Sequence, residues 1–182
     1  MSSRLRPPVD VRDHRAGSDS ASLTLVEYGD YECPFCGEAH AVVKALQERL
    51  GARLRFVFRN FPLASVHPHA LVAAEAAEAA DAQGLFWPMH NTLYEHQDAL
   101  EPPDLVEYAA RLGLDLNGFE SDLRGHRFRN KLRADLRSGA VSGVNGTPTF
   151  FINGYRHDGS FDFDTMWRAL AGALAQPEEF LG

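Results

Sequence analysis

Cysteine is nearly missing from this 182-residue chain: Cys33 and Cys36 are the only two. With no second cysteine pair, a zinc site of the usual two-pair kind is disfavoured. Long apolar runs are missing too, and nothing approaches the ~18–20 residues of a membrane-spanning helix. There is no long block of lysine or arginine, and the formal charge is -7. A non-specific grip on nucleic acid needs many phosphate-neutralising cations, so that class of partner is disfavoured. The opening stretch "MSSRLRPPVDVRDHRAGSDSAS" has neither a hydrophobic core region nor a small-residue cleavage site, unlike a secretory signal. The expected compartment is therefore cytoplasmic, or periplasmic if a leader has been removed. In a reducing compartment structural disulfides are rare.

What is present suits one globular domain with room for an inserted subdomain: 45% of the residues are apolar and 24% are charged. Residues 1–21 are polar, with Pro7, Pro8, Gly17 and several serines, and read as a mobile or loosely packed arm. "SLTLVEYG" (22–29) has apolar residues on both faces, which predicts a central strand covered on both sides. After the cysteines, Ala39, Val42, Val43, Leu46 and Leu50 recur at helical spacing and Gly51 is a natural stop. "ARLRFVFRNF" (52–61) is the next strand, with Arg53, Arg55 and Arg59 expected on a solvated face or in ion pairs. Strand, helix, strand is a β-α-β unit, whose strands are parallel with a right-handed crossover.

Residues 62–146 carry no convincing strand and read as several helices, among them 69–84, 86–97, 102–113, 117–125 and 126–143. Phe61, Phe86, Trp87 and Met89 read better as core packing than as a substrate groove. β structure returns in "TPTFFI" (147–152), Asn153-Gly154 predicts a tight hairpin, and Phe163, Met166, Trp167, Leu170 and Leu174 mark a closing helix.

The cysteines are spaced C-x-x-C, with Pro34 and Phe35 between them. Pro34 belongs in a first helical turn, which puts Cys33 at a helix N-terminus. Unpaired N–H groups and the helix dipole there favour a thiolate. Cys36, one turn on, can displace whatever Cys33 captures, provided Cys33 is the exposed attacker and Cys36 the sheltered resolver. Glu27, within an apolar strand, is either a solvated edge glutamate or a buried carboxylate of raised pKa able to exchange a proton with Cys36. Thr147-Pro148, at the head of a strand, is either an ordinary trans turn or a cis peptide bond.

"SLTLVEYGDYECPFC" (22–36) and "GVNGTPTFFING" (143–154) resemble the DsbA-like branch of the thioredoxin superfamily. "FRNFPL", "HPHALVAAEAAEAADAQGLFWPMH" and the "DHRAG" arm are similar to the same branch, so the resemblance covers nearly the whole chain. It implies an α/β, thioredoxin-like fold with a helical subdomain inserted between a β-α-β half and a β-β-α half. The corresponding boundaries are an arm at 1–21, a first half at 22–62, the insertion and connecting helix at 63–142 and a second half at 143–182. It implies that Cys33 attacks and Cys36 resolves, that Glu27 is the buried acid, and that Pro148 is the cis-proline beside the cysteines. Thr147 would offer backbone hydrogen bonds to an extended substrate, with Pro34 and Phe35 lining the same groove. Partners would be protein or peptide thiols and disulfides and a redox recycling partner. No cofactor is called for, since the sulfurs hold the electrons.

The bland readings stay in view. His40, four residues after Cys36, could join His67 and His69 in a metal site, but it reads better as a helix-surface residue. His67 and His69 then begin a helix, while His90 and His96 lie on helix faces. A purely structural disulfide gains little from closing so short a loop. The competing class is a non-catalytic thioredoxin-like module that senses redox state, binds metal or acts as a chaperone. The best-known oxidising members carry Pro-His between their cysteines. Phe35 cannot supply that positive partner, so a less depressed Cys33 pKa and a weaker oxidant are expected. A reduction potential near those of strong periplasmic oxidants, about -120 mV, would refute this.

Overall fold

Apolar residues on alternate positions of 22–29 and 52–61 fall in strands, and the alanine-rich and amphipathic stretches between 69 and 143 fall in helices. A computed structural model describes residues 3–175. Its elements are β1 (His14–Ala16), β2 (Leu23–Gly29), α1 (Pro34–Leu50), a short 3-10 turn (Gly51–Arg53) and β3 (Leu54–Asn60). Five helices follow: α2 (Ala70–Asp81), α3 (Phe86–Glu95), α4 (Pro102–Arg111), α5 (Leu116–Arg124) and α6 (Arg129–Val141). The chain then forms β4 (Thr149–Ile152), β5 (Tyr155–His157) and α7 (Phe163–Ala175). This is the expected α/β order, with helices inserted between a β-α-β half and a β-β-α half. Two compact units result, one from residues 3–29, 38–59 and 138–175, the other from 30–37 and 60–137.

The first unit is built on a five-stranded sheet of order β1-β3-β2-β4-β5. Three neighbouring pairs, β1–β3, β2–β4 and β4–β5, are antiparallel. In this mixed sheet the remaining neighbours, β3 and β2, joined through α1, supply the parallel pair. Central β2 buries Leu23 and Leu25 from one alternating set and Val26 and Tyr28 from the other, as a strand covered on both faces requires. α1 buries Ala39, Val43, Leu46 and Leu50, and α7 lays Met166, Leu170 and Ala173 against β2 and β4. Burying a leucine or methionine fully is worth about 1.5–3 kcal/mol, so these stripes outweigh any surface ion pair. Between β4 and β5, Asn153 and Gly154 both take positive φ (48° and 84°), the backbone of a two-residue hairpin turn. Asn153 also bonds β2, donating from its N to Thr24 O and accepting from Thr24 N at Oδ1 (2.9 and 2.8 Å).

The arm is not loose. Its residues 14–16 form β1 against Phe56–Phe58 of β3, Leu5 is buried, and Leu5 N donates to Gly154 O (2.8 Å). The physical reason lies in β3. Of the two expectations for Arg59, a solvated face or an ion pair, the second holds: Arg59 is 2% exposed and donates from Nε and Nη2 to the two oxygens of Asp13 (2.7 and 2.9 Å). Its Nη1 reaches Pro7 O and the Tyr28 hydroxyl, and its Nη2 reaches Pro8 O. The Tyr28 hydroxyl also shares a hydrogen bond with Ser138 Oγ (2.8 Å). Burial works against the charge on Arg59, but the bonds to Asp13 and Tyr28 more than offset it and hold its pKa above the usual value. A polar arm is thus fixed by one guanidinium that the arm's composition does not reveal.

The second unit is organised around α2. Its alanines at 70, 73, 74, 76, 77, 79 and 80 are all buried, and these short side chains let α3, α4 and α5 approach it closely. Met89, Leu93, Leu105, Tyr108 and Phe119 fill the space between them. The two glutamates of α2 are buried as well, and each has a partner: Glu75 accepts from Arg129 and bonds His126, and Glu78 accepts from Asn60 Nδ2. Phe61, Phe86 and Met89 are core residues, as expected, while Trp87 is half-buried.

Replacing Asp13 by alanine should leave the Arg59 charge buried with its strongest acceptor gone. The expected cost is about 3 kcal/mol in equilibrium urea unfolding. A loss below ~1 kcal/mol would mean that the arm is not held by this pair.

Candidate active site

The segment from Asp30 to Gly37 carries both cysteines. Pro34 opens α1 as its first residue, where its missing N–H costs nothing, so the residue before it, Cys33, stands at the helix mouth. Cys33 O accepts from the backbone N–H groups of Cys36 and Gly37 (3.0 and 3.2 Å), closing the first turn. One turn of helix brings Cys33 and Cys36 to 3.8 Å. Both are buried, Cys33 to 4% exposure and Cys36 to 0%. The expected contrast of exposed attacker and sheltered resolver is therefore much reduced. The exposed positions are Pro34 and Phe35, the latter at 57%.

The turn is held by residues outside the cysteine motif, of which sequence reading names only His67 and His69. Asp30, almost completely buried, uses its whole carboxylate. Oδ1 accepts from Glu32 N (2.9 Å), while Oδ2 accepts from Leu63 N and pairs with His67 Nδ1, both at 2.8 Å. Its carbonyl accepts from Cys33 N (3.2 Å). Two residues on, Glu32 repeats the arrangement with His69, taking its backbone N–H at 2.6 Å and its Nδ1 at 2.9 Å. His69 is the N-cap residue of α2, as expected, while His67 lies two residues before it, outside the helix. Acids spaced two apart face histidines spaced two apart. That matched spacing was the signal available in the sequence, but it shows its meaning only once the two segments meet.

Gln97 completes the frame. Its Nε2 donates to both Tyr31 O and Cys33 O at 2.8 Å. It passes so close to α1 that a Cβ on Gly37 would lie 2.1 Å from its Oε1, so Gly37 is small because Gln97 occupies the space. No periodicity or motif marks Gln97. Tyr31 packs edge-on against His90, whose Nδ1 lies 3.0 Å from its hydroxyl. His90 is thus a buried residue of α3.

Burial works against a charge on His67, yet its bond to Asp30, with the neighbouring charges of Asp30, Cys33 and Glu32, raises its pKa above the ordinary 6.5.

In the other unit, Glu27 is 1% exposed near the end of β2, so the solvated-edge alternative is excluded. It pairs in register with Phe150, and Tyr28 with Thr149. Pro148 therefore sits at the head of β4, level with the end of β2. The Thr147–Pro148 bond is cis and both residues are half-buried. His40 is 8% exposed and belongs to the interior of this unit, a correction to its expected place on the helix surface.

A single family accounts for this arrangement: the one described as Thioredoxin, whose profile matches residues 10–171. The chain belongs to the thioredoxin family. Its fold is the thioredoxin-like α/β fold of DsbA-like structures. BdbD from Bacillus subtilis, in its oxidised form, superposes with a TM-score of 0.83 at 22% identity, over 96% of this chain and 98% of that one. A thioredoxin-like oxidoreductase from Silicibacter pomeroyi DSS-3 gives 0.80 at 26% identity, over 90% and 93%. Among curated relatives, the Na(+)/H(+) antiporter NhaA 1 of Salinispora arenicola is 48% identical over 94% of this chain. NhaA of Herminiimonas arsenicoxydans is 44% identical over 91%. The chain spans about a quarter of the length of these relatives (26% of each). Among the described residues no helix is long and apolar enough to cross a membrane.

The Gly37–Gln97 contact is open to a double-mutant cycle. Gly37→Ala gains up to about 1 kcal/mol of helix propensity but pushes Gln97 off two carbonyls worth about 1 kcal/mol each. The single variant should therefore be destabilised by roughly 1 kcal/mol, and the same change in a Gln97→Ala background should be stabilising by roughly 1 kcal/mol. Equal effects in both backgrounds, read from urea unfolding, would overturn the contact.

Proposed function

We propose that this chain is a DsbA-like thiol–disulfide oxidoreductase acting on protein or peptide thiols through the Cys33-Pro34-Phe35-Cys36 centre. The observation that carries the reading is the pair of cysteines 3.8 Å apart across the first turn of α1, the second of them fully buried. In the reducing direction the Cys33 thiolate attacks one sulfur of a substrate disulfide. A mixed disulfide forms and one substrate thiolate leaves. Cys36 then attacks the Cys33 sulfur, closing the Cys33–Cys36 bond and releasing the second substrate thiol. Two electrons pass from the pair to the substrate, and the oxidising direction is the reverse. Cys36 must lose a proton as it attacks, and Glu27, buried in β2, is assigned to take it and return it. Pro34, Phe35, Thr147 and Pro148 are assigned to the partner: exposed apolar surface at 34–35, and the backbone of Thr147 for an extended segment added as a strand. A redox recycling partner resets the pair, and no bound cofactor is required.

A second reading has its own support. The antiporter relatives are about four times as long as the region they share with this chain, which favours a module attached to a transporter. Such a module either catalyses exchange on membrane-associated partners or merely senses redox state.

Insulin-disulfide reduction separates the readings. Catalysis predicts turnover that falls to background, at least about a thousandfold, in Cys33→Ser. Cys36→Ser should instead accumulate mixed disulfides with partner proteins. Wild-type turnover no faster than that of Cys33→Ser would leave the non-catalytic module.

A further inference from the structure

The residues from Asp30 to Gly37 hold two carboxylates and no cation. A thiolate forming at Cys33 would enter a negatively charged turn, and Phe35 offers nothing to offset it. Two imidazoles reach the turn from outside, on the stretch leading into α2. His69 is held by the more exposed of the two acids and its own side chain is 37% exposed, so solvent screens it. His67 is different. Its Nδ1 lies 2.8 Å from a carboxylate with no exposed surface, and that same Asp30 accepts the backbone N–H of Cys33. Leu63 N on the same Asp30 oxygen fixes the loop that carries it. With Nδ1–H donated to Asp30, Nε2 is the nitrogen that gains the charge-giving proton.

We propose that His67, anchored by Asp30, is a positioning residue for thiol–disulfide exchange, its imidazolium offsetting the Asp30 carboxylate and stabilising the Cys33 thiolate from outside the cysteine motif. This rests on the exchange reading given above. The charged groups acting on His67 are Asp30, Glu32 and Cys33, with Glu32 itself tied to His69. The coupling is reciprocal: a Cys33 charge that favours protonated His67 is favoured by it to the same degree.

The test is the ionisation of Cys33 in the intact, reduced chain, followed by thiolate ultraviolet absorbance and by iodoacetamide alkylation across pH. His67→Gln should raise the Cys33 midpoint by about one pH unit, slowing alkylation roughly tenfold below that midpoint. The wild-type rate profile should need two titrating groups, and the variant profile one. His67→Lys, which keeps a positive charge, should recover most of the loss, whereas a merely structural role would not be rescued. A Cys33 midpoint unchanged in natively folded His67→Gln would overturn the proposal while leaving the exchange reading intact. A shifted midpoint in a protein without insulin turnover would support the electrostatic role and count against catalysis alone.

Discussion

The Asp30 carboxylate is the constraint on which the cysteine turn depends. It is buried in the loop that follows β2, and burial of a charge is tolerated only where every lone pair finds a donor. Glu32 N, Leu63 N and His67 supply them, and the Asp30 carbonyl takes Cys33 N. These bonds fix the cysteine loop against the stretch leading into α2. Gln97 fixes the same loop from its carbonyl side by donating to Tyr31 O and Cys33 O. Cys33 is therefore held at the mouth of α1 by both its own N–H and its own carbonyl, which limits the motion of a sulfur whose chemistry depends on direction.

The first unit solves a similar problem with the sign reversed. Arg59 is a cation buried in β3, and its donors are taken up by Asp13, Pro7 O, Pro8 O and Tyr28. The effect is to lay the N-terminal stretch on the sheet and to give β3 an antiparallel neighbour, β1, where it would otherwise present an edge. In both units a buried charge orders a segment that has little apolar surface of its own. Such networks are costly to half-break, so their loss would be felt in geometry as well as in stability.

Charge around the cysteines follows from the same packing. Asp30 and Glu32 would by themselves discourage a thiolate, and each carries a histidine. Cys33 thus sits beside carboxylates that each bond an imidazole, at the N-terminus of a helix. Its neighbour Cys36 has no exposed surface, so a proton it gives up must pass to a group inside the protein or wait for the partner to bring access.

Periodicity made the skeleton legible. Both faces of 22–29 are apolar and β2 is central; alanines crowd 70–80 and α2 is the hub; Asn153-Gly154 reads as a hairpin and is one. The cysteine pair and the family were also legible, because C-x-x-C and "GTPTFFING" are local and specific. Local sequence did not reveal that Arg59 and His40 are buried, that residues 14–16 form a strand, or that Gln97 and His67 serve the turn around Cys33. Each of these depends on a partner 31 or more positions away, or on burial against other parts of the chain. The sequence by itself determined where most strands and helices lie and that its two sulfurs stand one helical turn apart, since these follow from side-chain spacing. Which charges surround those sulfurs was decided only by the tertiary structure, because an electrostatic environment is set by distance and burial, and neither is written in the order of residues.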